Sequence, residues 1–211
     1  MPAENPRRLK PRKTPSQERS RHTLNIILEA AAQVLQTKGY AGTTTNRVAA
    51  RAGLSIGTIY EYFPNKDALL SALQSDWSDK TYETFFNVAT ADAEPISLRG
   101  GLQRVIEARI AATTLNTHLH SALQNELPFR GNQKQLADRM TELRDSNIRS
   151  MENRRSEFRV DDVEMLSDLL MFGLHGYFDH LALRAPSQLS DETLVDRLTD
   201  MVYTLISPSS D

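Results

Sequence analysis

The sequence predicts an all-α protein of about nine helices, a small N-terminal three-helix domain followed by a larger helical one. Apolar residues recur at three- and four-residue steps from Leu24 to Leu205, which is the period of an amphipathic helix. No run alternates convincingly with the period of two that a half-buried strand requires, and helix-capping residues stand between many of the apolar runs.

Leu24, Ile27, Leu28, Ala31, Val34 and Leu35 make the stripe of a first helix from Glu18 onward, with Gly39 as its left-handed stop. Thr43, Thr44 and Thr45 offer an N-cap to a short second helix whose Val48, Ala49 and Ala52 face inward, and Gly53 ends it. Ser55 caps a third helix with Ile59 and Phe63 on its inner face; Pro64 stops it and Asn65 caps a fourth. Leu69, Leu73, Trp77, Phe85 and Val88 mark that long fourth helix, and Leu98, Leu102, Val105, Ile106 and Thr113 a fifth. Leu115, Leu119, Ala122 and Leu123 form the stripe of a sixth, and Leu136, Met140, Leu143, Met151 and Phe158 that of a seventh. Asp161 with Glu164 reads as a capping box opening an eighth helix that Pro186 closes. Ser190 is expected to cap a ninth carrying Leu194, Leu198, Met201, Val202 and Leu205.

The domain boundaries follow. Residues 1–17 hold four prolines and five basic residues without apolar periodicity and read as a disordered basic arm, whose Arg7, Arg8, Lys10, Arg12 and Lys13 could follow phosphates. Residues 18–64 form the three-helix domain, and 65–211 the larger helical domain. Cysteine is absent, which excludes thiol nucleophiles, thiolate metal sites and disulfides and fits a cytoplasmic location. No run is apolar enough to span a bilayer, and the N-terminus lacks the core of a secretion signal.

Charge is divided along the chain. Of the 25 Lys+Arg and 27 Asp+Glu, residues 1–66 carry 11 and 4, whereas residues 67–211 carry 14 and 23. A basic first third attracts a polyanion; an acidic remainder is repelled by one.

Residues 45–63 have the pattern of two short helices joined by a glycine turn, a helix-turn-helix. A generic helical hairpin would account for its apolar positions, but not for the others. Ser55, Ile56, Gly57 and Thr58 occupy the first turn of its second helix, the part that enters a major groove in such motifs. Gly57 costs a helix interior about 1 kcal/mol relative to alanine, so either a short helix tolerates it or it marks a place where a Cβ would meet a partner.

The block GYAGTTTNRVAARAGLSIGTIYEYFPNKDALL, and the wider stretch of about residues 20–72, resembles the DNA-binding domain of the tetracycline-repressor (TetR) family. The matching features are the glycine-aromatic pair after helix one, the threonine cluster, A-x-x-A-G-L-S-x-G-x-x-Y-x-Y-F and N-K-x-x-L-L. The resemblance implies a homodimeric, ligand-responsive repressor on a palindromic double-stranded DNA operator, with helix four leading into an all-helical regulatory domain. It also implies that Thr44 and Thr45 anchor helix two to phosphate, that Ser55, Ile56, Gly57 and Thr58 approach base edges, and that Tyr60 and Lys66 grip the backbone. Tyr62 and Arg47 stand nearby as further DNA-binding positions, although Tyr62, three residues from Ile59, would serve equally as core. Ile56 departs from the polar residue many members place there, which shifts base reading toward thymine methyl contact and Thr58.

The larger domain resembles the family only in being helical, so its site rests on residues. Arg109 and Glu126 sit on the apolar stripes of helices five and six, where a charge needs a partner; they pair with each other, or one meets a polar or anionic small-molecule effector. Trp77, Phe85, Phe86, Phe172 and Tyr177, with His175, are the candidate lining of such a pocket, and the same aromatics would serve equally as core. His118 and His120 diverge by about 200° on a helix and cannot share an ion. His175, Asp179 and His180 are better placed but lack a third ligand at helical spacing, so no metal or other cofactor is expected. Helix eight is apolar around much of its circumference, and with helix nine, Gly173 and Gly176 it is the expected two-fold dimer interface. Two rival readings remain: an architectural DNA binder without effector, and a helical-domain enzyme using His175, Asp179 or Glu126 as acid or base.

Overall fold

The computed structural model describes residues 18–89, 97–127 and 133–208, and all the regular structure among them is helical. Nine rods follow in order: α1 (Glu18–Gly42), α2 (Thr45–Ala52), α3 (Ile56–Tyr62), α4 (Lys66–Ala89), α5 (Leu98–Thr114), α6 (Thr117–Asn125), α7 (Gln133–Asn153), α8 and α9 (Leu194–Ile206). In α8 an α-helical stretch Val163–Asp168, a π-turn Leu169–Gly173 and a second α-helical stretch Leu174–Arg184 join without leaving right-handed helical φ and ψ. Helix α1 is broken at Gly39, where φ is 64° and ψ −180°, and regains a short turn before Gly42. The glycine expected as its stop therefore acts as a kink.

The chain divides into two compact units, and the boundary falls inside α4. The first takes residues up to Asp79 together with His118–Gln133; the second takes Lys80–Thr117 and Lys134–Asp211. In the first unit one core joins Ile27, Ala31 and Leu35 of α1, Val48 and Ala49 of α2, Ile59, Tyr62 and Phe63 around α3, Leu69 and Leu70 of α4, and Leu119 and Leu123 of α6. In the second, α5 packs on α9 and on the Leu174–Arg184 part of α8. One cluster there holds Ile106, Phe178, Leu181 and Leu198, and another Leu102, Phe158, Leu166, Val202 and Ile206.

Local chemistry explains the short helices. Thr44 is the N-cap of α2, its hydroxyl accepting from the Arg47 N–H at 3.2 Å. Gly53 closes α2 in the left-handed region (φ 66°), its own N–H returning to the helix carbonyls. Ser55 caps α3 by accepting from the Thr58 N–H at 3.0 Å, and Asn65 caps α4 by accepting from the Ala68 N–H at 2.8 Å. Two expected caps move. Asp162, not Asp161, opens α8, accepting from the Met165 N–H at 2.8 Å, because Asp161 is drawn to the Arg155 guanidinium. Ser190 ends a 3-10 turn (Pro186–Ser190) instead of capping α9; Asp191 takes the cap-like role ahead of it, its carboxylate accepting both N–H and hydroxyl of Thr193.

Replacing Gly53 with alanine is expected to destabilise the folded chain by about 1–2 kcal/mol in urea unfolding. The backbone is left-handed there while the space around it is open, so the whole cost is conformational.

Candidate nucleic-acid interface

One face of the first unit collects the chemistry that the sequence singled out. Helix α3 buries Ile59 and Tyr62, at 0% and 4% exposure, and so turns Ser55, Ile56, Gly57 and Tyr60 outward. Thr58 is half-buried, its hydroxyl 2.9 Å from that of Ser55. The Tyr60 hydroxyl lies 3.4 Å from that of Thr45, which ties the start of α2 to the outer side of α3.

The three adjacent threonines have separate jobs. Thr43 is fully buried and donates to the Gly39 carbonyl at 2.7 Å, closing the end of α1; Thr44 caps; Thr45 faces Tyr60. Arg47 is exposed at the start of α2 and donates to the Gly42 carbonyl. The face is thus made of hydroxyls, a phenol, a guanidinium and the first amides of two short helices, all of them donors suited to phosphate oxygens.

Gly57 has no internal reason to be glycine. Its φ is not positive, and an added Cβ would meet only the Ser55 hydroxyl at 3.5 Å, an ordinary contact. The helix cost of about 1 kcal/mol is therefore not offset by anything the described chain needs at that position.

Two expected members of the face have partners within the chain. Tyr62 is a core residue: its ring is buried and its hydroxyl, 2.9 Å from the Ser20 hydroxyl, donates to the Ser20 carbonyl as well. Its place three residues after Ile59 puts it on the inner side of α3. Lys66 is half-buried, donating to the Tyr40 carbonyl at 3.0 Å with its ammonium 3.8 Å over the Tyr40 ring. That places it beside the segment leading from α1 into Thr44. Tyr40 itself, present in the sequence only as the aromatic after Gly39, is the residue that sequence reasoning passed over.

Arg109 and Glu126 take different partners. Helix α6 ends at Asn125, one residue before Glu126, which is therefore exposed and not on a buried stripe; its carboxylate accepts the Tyr40 N–H at 3.0 Å. In the second unit the Arg109 side chain is only 13% exposed, donates to His175 Nδ1 and lies 3.8 Å from Asp179. His175 Nε2 lies 3.3 Å from Asp179 Oδ2, so the network assigns the ring proton to Nε2. Burial lowers the Arg109 pKa, with Asp179 opposing the shift, and its Nε has no hydrogen-bond partner.

The expected aromatic lining does not converge on this group. Trp77 packs against the core of the first unit, and Phe86 and Phe172 are about half exposed at 47% and 53%. Phe86 stacks on Tyr82 at 6.2 Å, whereas Tyr177 contacts Phe178 edge-on. Phe85 is half-buried in the second unit. Among the described residues no group of three or more His, Asp or Glu is placed to hold a metal ion, and no helix is long and apolar enough to cross a membrane.

Residues 27–73 match the family model for bacterial regulatory proteins of the tetR family. The uncharacterized HTH-type transcriptional regulator YuxN of Bacillus subtilis is 34% identical over 70 residues, 33% of this chain and 24% of that protein. The chain spans less than a third of the length of each curated relative it matches. Over nearly the whole chain the fold is that of solved structures. A tetR-family bacterial regulatory protein from Rhodococcus RHA1 superposes with a TM-score of 0.68 at 19% identity, covering 89% of this chain and 98% of that one. The transcriptional regulator FadR from Bacillus subtilis, solved with stearoyl-CoA, gives 0.60 at 18% identity over 86% and 96%. The match to bacterial regulatory proteins of the tetR family is thus centred on the helices that carry the hydroxyl-rich face.

Proposed function

We propose that the protein is a sequence-specific DNA-binding transcriptional regulator, acting as a homodimeric, ligand-responsive repressor rather than as an enzyme. The observation that carries this reading is Gly57: an exposed helical glycine, unexplained by its own fold, on the first turn of a short helix flanked by Ser55, Thr58 and Tyr60. On DNA, α3 lies in the major groove, close enough for a Cβ at Gly57 to collide, while Thr44, Thr45, Arg47, Tyr60 and Lys66 hold phosphates.

Two such helices are needed for a palindrome, about 34 Å apart. The second unit offers a surface for pairing. Met165, Leu169, Phe172, Gly173, Gly176 and Tyr177 form an outward row on α8, and Met201 and Leu205 continue it on α9. A groove of about 740 Å³ runs between these helices, lined by Leu169, Tyr177, Met201 and Leu205 among others. A Cβ at Gly173 or Gly176 would meet nothing within 4 Å, so their smallness serves something outside the chain. A second copy, meeting the row about a two-fold axis, is that partner.

The effector is a small molecule held in the helices beyond the DNA-binding domain, with Arg109 and His175 as its polar anchors. That FadR, a protein of this fold, is solved with stearoyl-CoA supports such an occupant. The effector releases DNA only through its difference in affinity between the DNA-bound and free conformations. Selection of bound duplexes from random DNA, repeated with a metabolite panel, tests the whole reading. The regulator keeps its selected sequence against competitor DNA, whereas an architectural binder shows salt-sensitive binding with little sequence preference.

Gly57→Ala is expected to leave the folded chain as stable or up to about 1 kcal/mol more stable while weakening binding to the selected duplex at least tenfold, which corresponds to roughly 1.4 kcal/mol; unaltered affinity would remove α3 from the groove. Tyr60→Phe should weaken binding to every sequence about equally, read by fluorescence anisotropy on matched and mismatched duplexes. Leu169→Glu should convert a dimer to a monomer in sedimentation, and a dimer that persists would place the interface elsewhere.

A further inference from the structure

Tyr40 is held at four points by residues from two distant stretches of the chain. Its N–H donates to Glu126 Oε2 at 3.0 Å, and its carbonyl accepts from Lys66 Nζ at 3.0 Å. Its ring lies 3.8 Å beneath the same ammonium, and its hydroxyl donates to Asp67 Oδ1 at 2.9 Å. The N–H and the carbonyl belong to the peptide planes on either side of the Tyr40 Cα, so anchoring both sets the two soft dihedrals of that residue. Gly39 makes the arrangement possible twice over. Its positive φ turns the backbone out of α1, and a Cβ there would lie 2.8 Å from Glu126 Oε2.

We infer that Glu126, which lies well outside the DNA-binding motif, is a positioning residue for DNA binding: by capping the Tyr40 amide it orients the carbonyl and ring that hold the Lys66 ammonium for a phosphate. One Lys66 N–H goes to Tyr40, and the other two are left to donate to phosphate oxygens. Rotation of Tyr40 would remove both the carbonyl and the π-face from beneath the ammonium, and the long lysine stem would return to many rotamers. Glu126 is exposed, so its effect on global stability is small and its effect on Lys66 is local.

The sign of the effect separates this role from simple electrostatics. A carboxylate repels DNA, so on charge alone Glu126→Ala and Glu126→Gln would both tighten binding. As a positioning residue, Glu126→Ala loosens Lys66 and weakens binding, whereas Glu126→Gln keeps an acceptor oxygen for the Tyr40 N–H and binds at least as tightly as the unaltered chain.

This inference rests on the DNA-binding reading, and the experiment keeps the two apart. The full-length chain and its variants are titrated by anisotropy against the duplex that the unaltered chain selects from random DNA, between about 50 and 200 mM salt. Glu126→Ala, shown to be folded by its circular-dichroism melt, is expected to bind roughly fivefold to tenfold more weakly. Its salt slope should flatten by about 0.9 for each phosphate that the protein ceases to neutralise. Glu126→Gln should restore both, and in a Lys66→Met background Glu126→Ala should cause no further loss. A folded Glu126→Ala that binds as tightly as the unaltered chain with the same slope overturns the positioning role, as does an equal loss in the Lys66→Met background. An unaltered chain that retains no duplex even at low salt overturns the DNA-binding reading itself, and this inference with it.

Discussion

The hydroxyl-rich face depends on a seven-residue helix that could not stand by itself. A helix as short as α3 does not repay the cost of nucleation in water, so Ile56–Tyr62 is helical because its inner side is held. Ile59, Tyr62 and Phe63, three and four residues apart, enter the same core as Val48, Ala49 and Ile27. Ser55 satisfies an amide at one end, and the Phe63 N–H returns to the Ile59 carbonyl at 2.8 Å at the other. Once that side is buried, helix geometry leaves no choice about the opposite one: Gly57 and Glu61 project away from the core, with Tyr60 on the flank.

The same core explains how residues far apart in sequence come to share a surface. Leu119 and Leu123 of α6 lie in the cluster that holds α1 and α4, and Gln74 of α4 donates to the Leu123 carbonyl at 3.3 Å. With the end of α6 anchored in this way, Glu126 reaches the Gly39 kink and Tyr40. The cluster around Tyr40 is polar and partly exposed, and its value lies in direction more than in stability: each contact sets where a backbone group or an ammonium points. Such groups lose little when rearranged.

The second unit distributes its polar groups differently. Arg109 is taken out of water among α5 and α8, where desolvation lowers its pKa against the opposing charge of Asp179 at 3.8 Å, and its guanidinium donates to His175. On the outer side, Arg144 meets Asp168 and Glu164 as an exposed cluster, and its guanidinium holds Asp168 below the usual carboxylate range. Exposed pairs of that kind contribute little to stability, while taking a guanidinium out of water carries a desolvation penalty that its partners must offset. In the same unit the outward apolar row of α8 and α9 leaves Leu169 and Leu205 62% and 56% exposed. An exposed apolar row of that composition is uncommon on a monomeric surface.

Whatever acts over a few positions was legible in the linear chain. The order of the helices, the caps at Thr44, Ser55 and Asn65, the left-handed glycines at Gly39 and Gly53 and the burial of Ile59 all follow from a period of 3.6 residues and the hydrogen-bonding needs of helix ends. Neighbouring caps were harder to tell apart: Asp161 and Asp162 are equivalent in spacing, and only Arg155 separates them. The rest came from packing at long range. Tyr60 and Tyr62 look alike in sequence, yet one is exposed and the other is buried against Ser20, because the direction of α1 determines which ring is covered. Glu126 has the spacing of a buried stripe, but the end of α6 at Asn125 releases it to the α1 kink. Arg109 found His175 and Asp179, partners separated from it by 66 and 70 positions, and no periodicity in a linear chain carries information about contacts at that range.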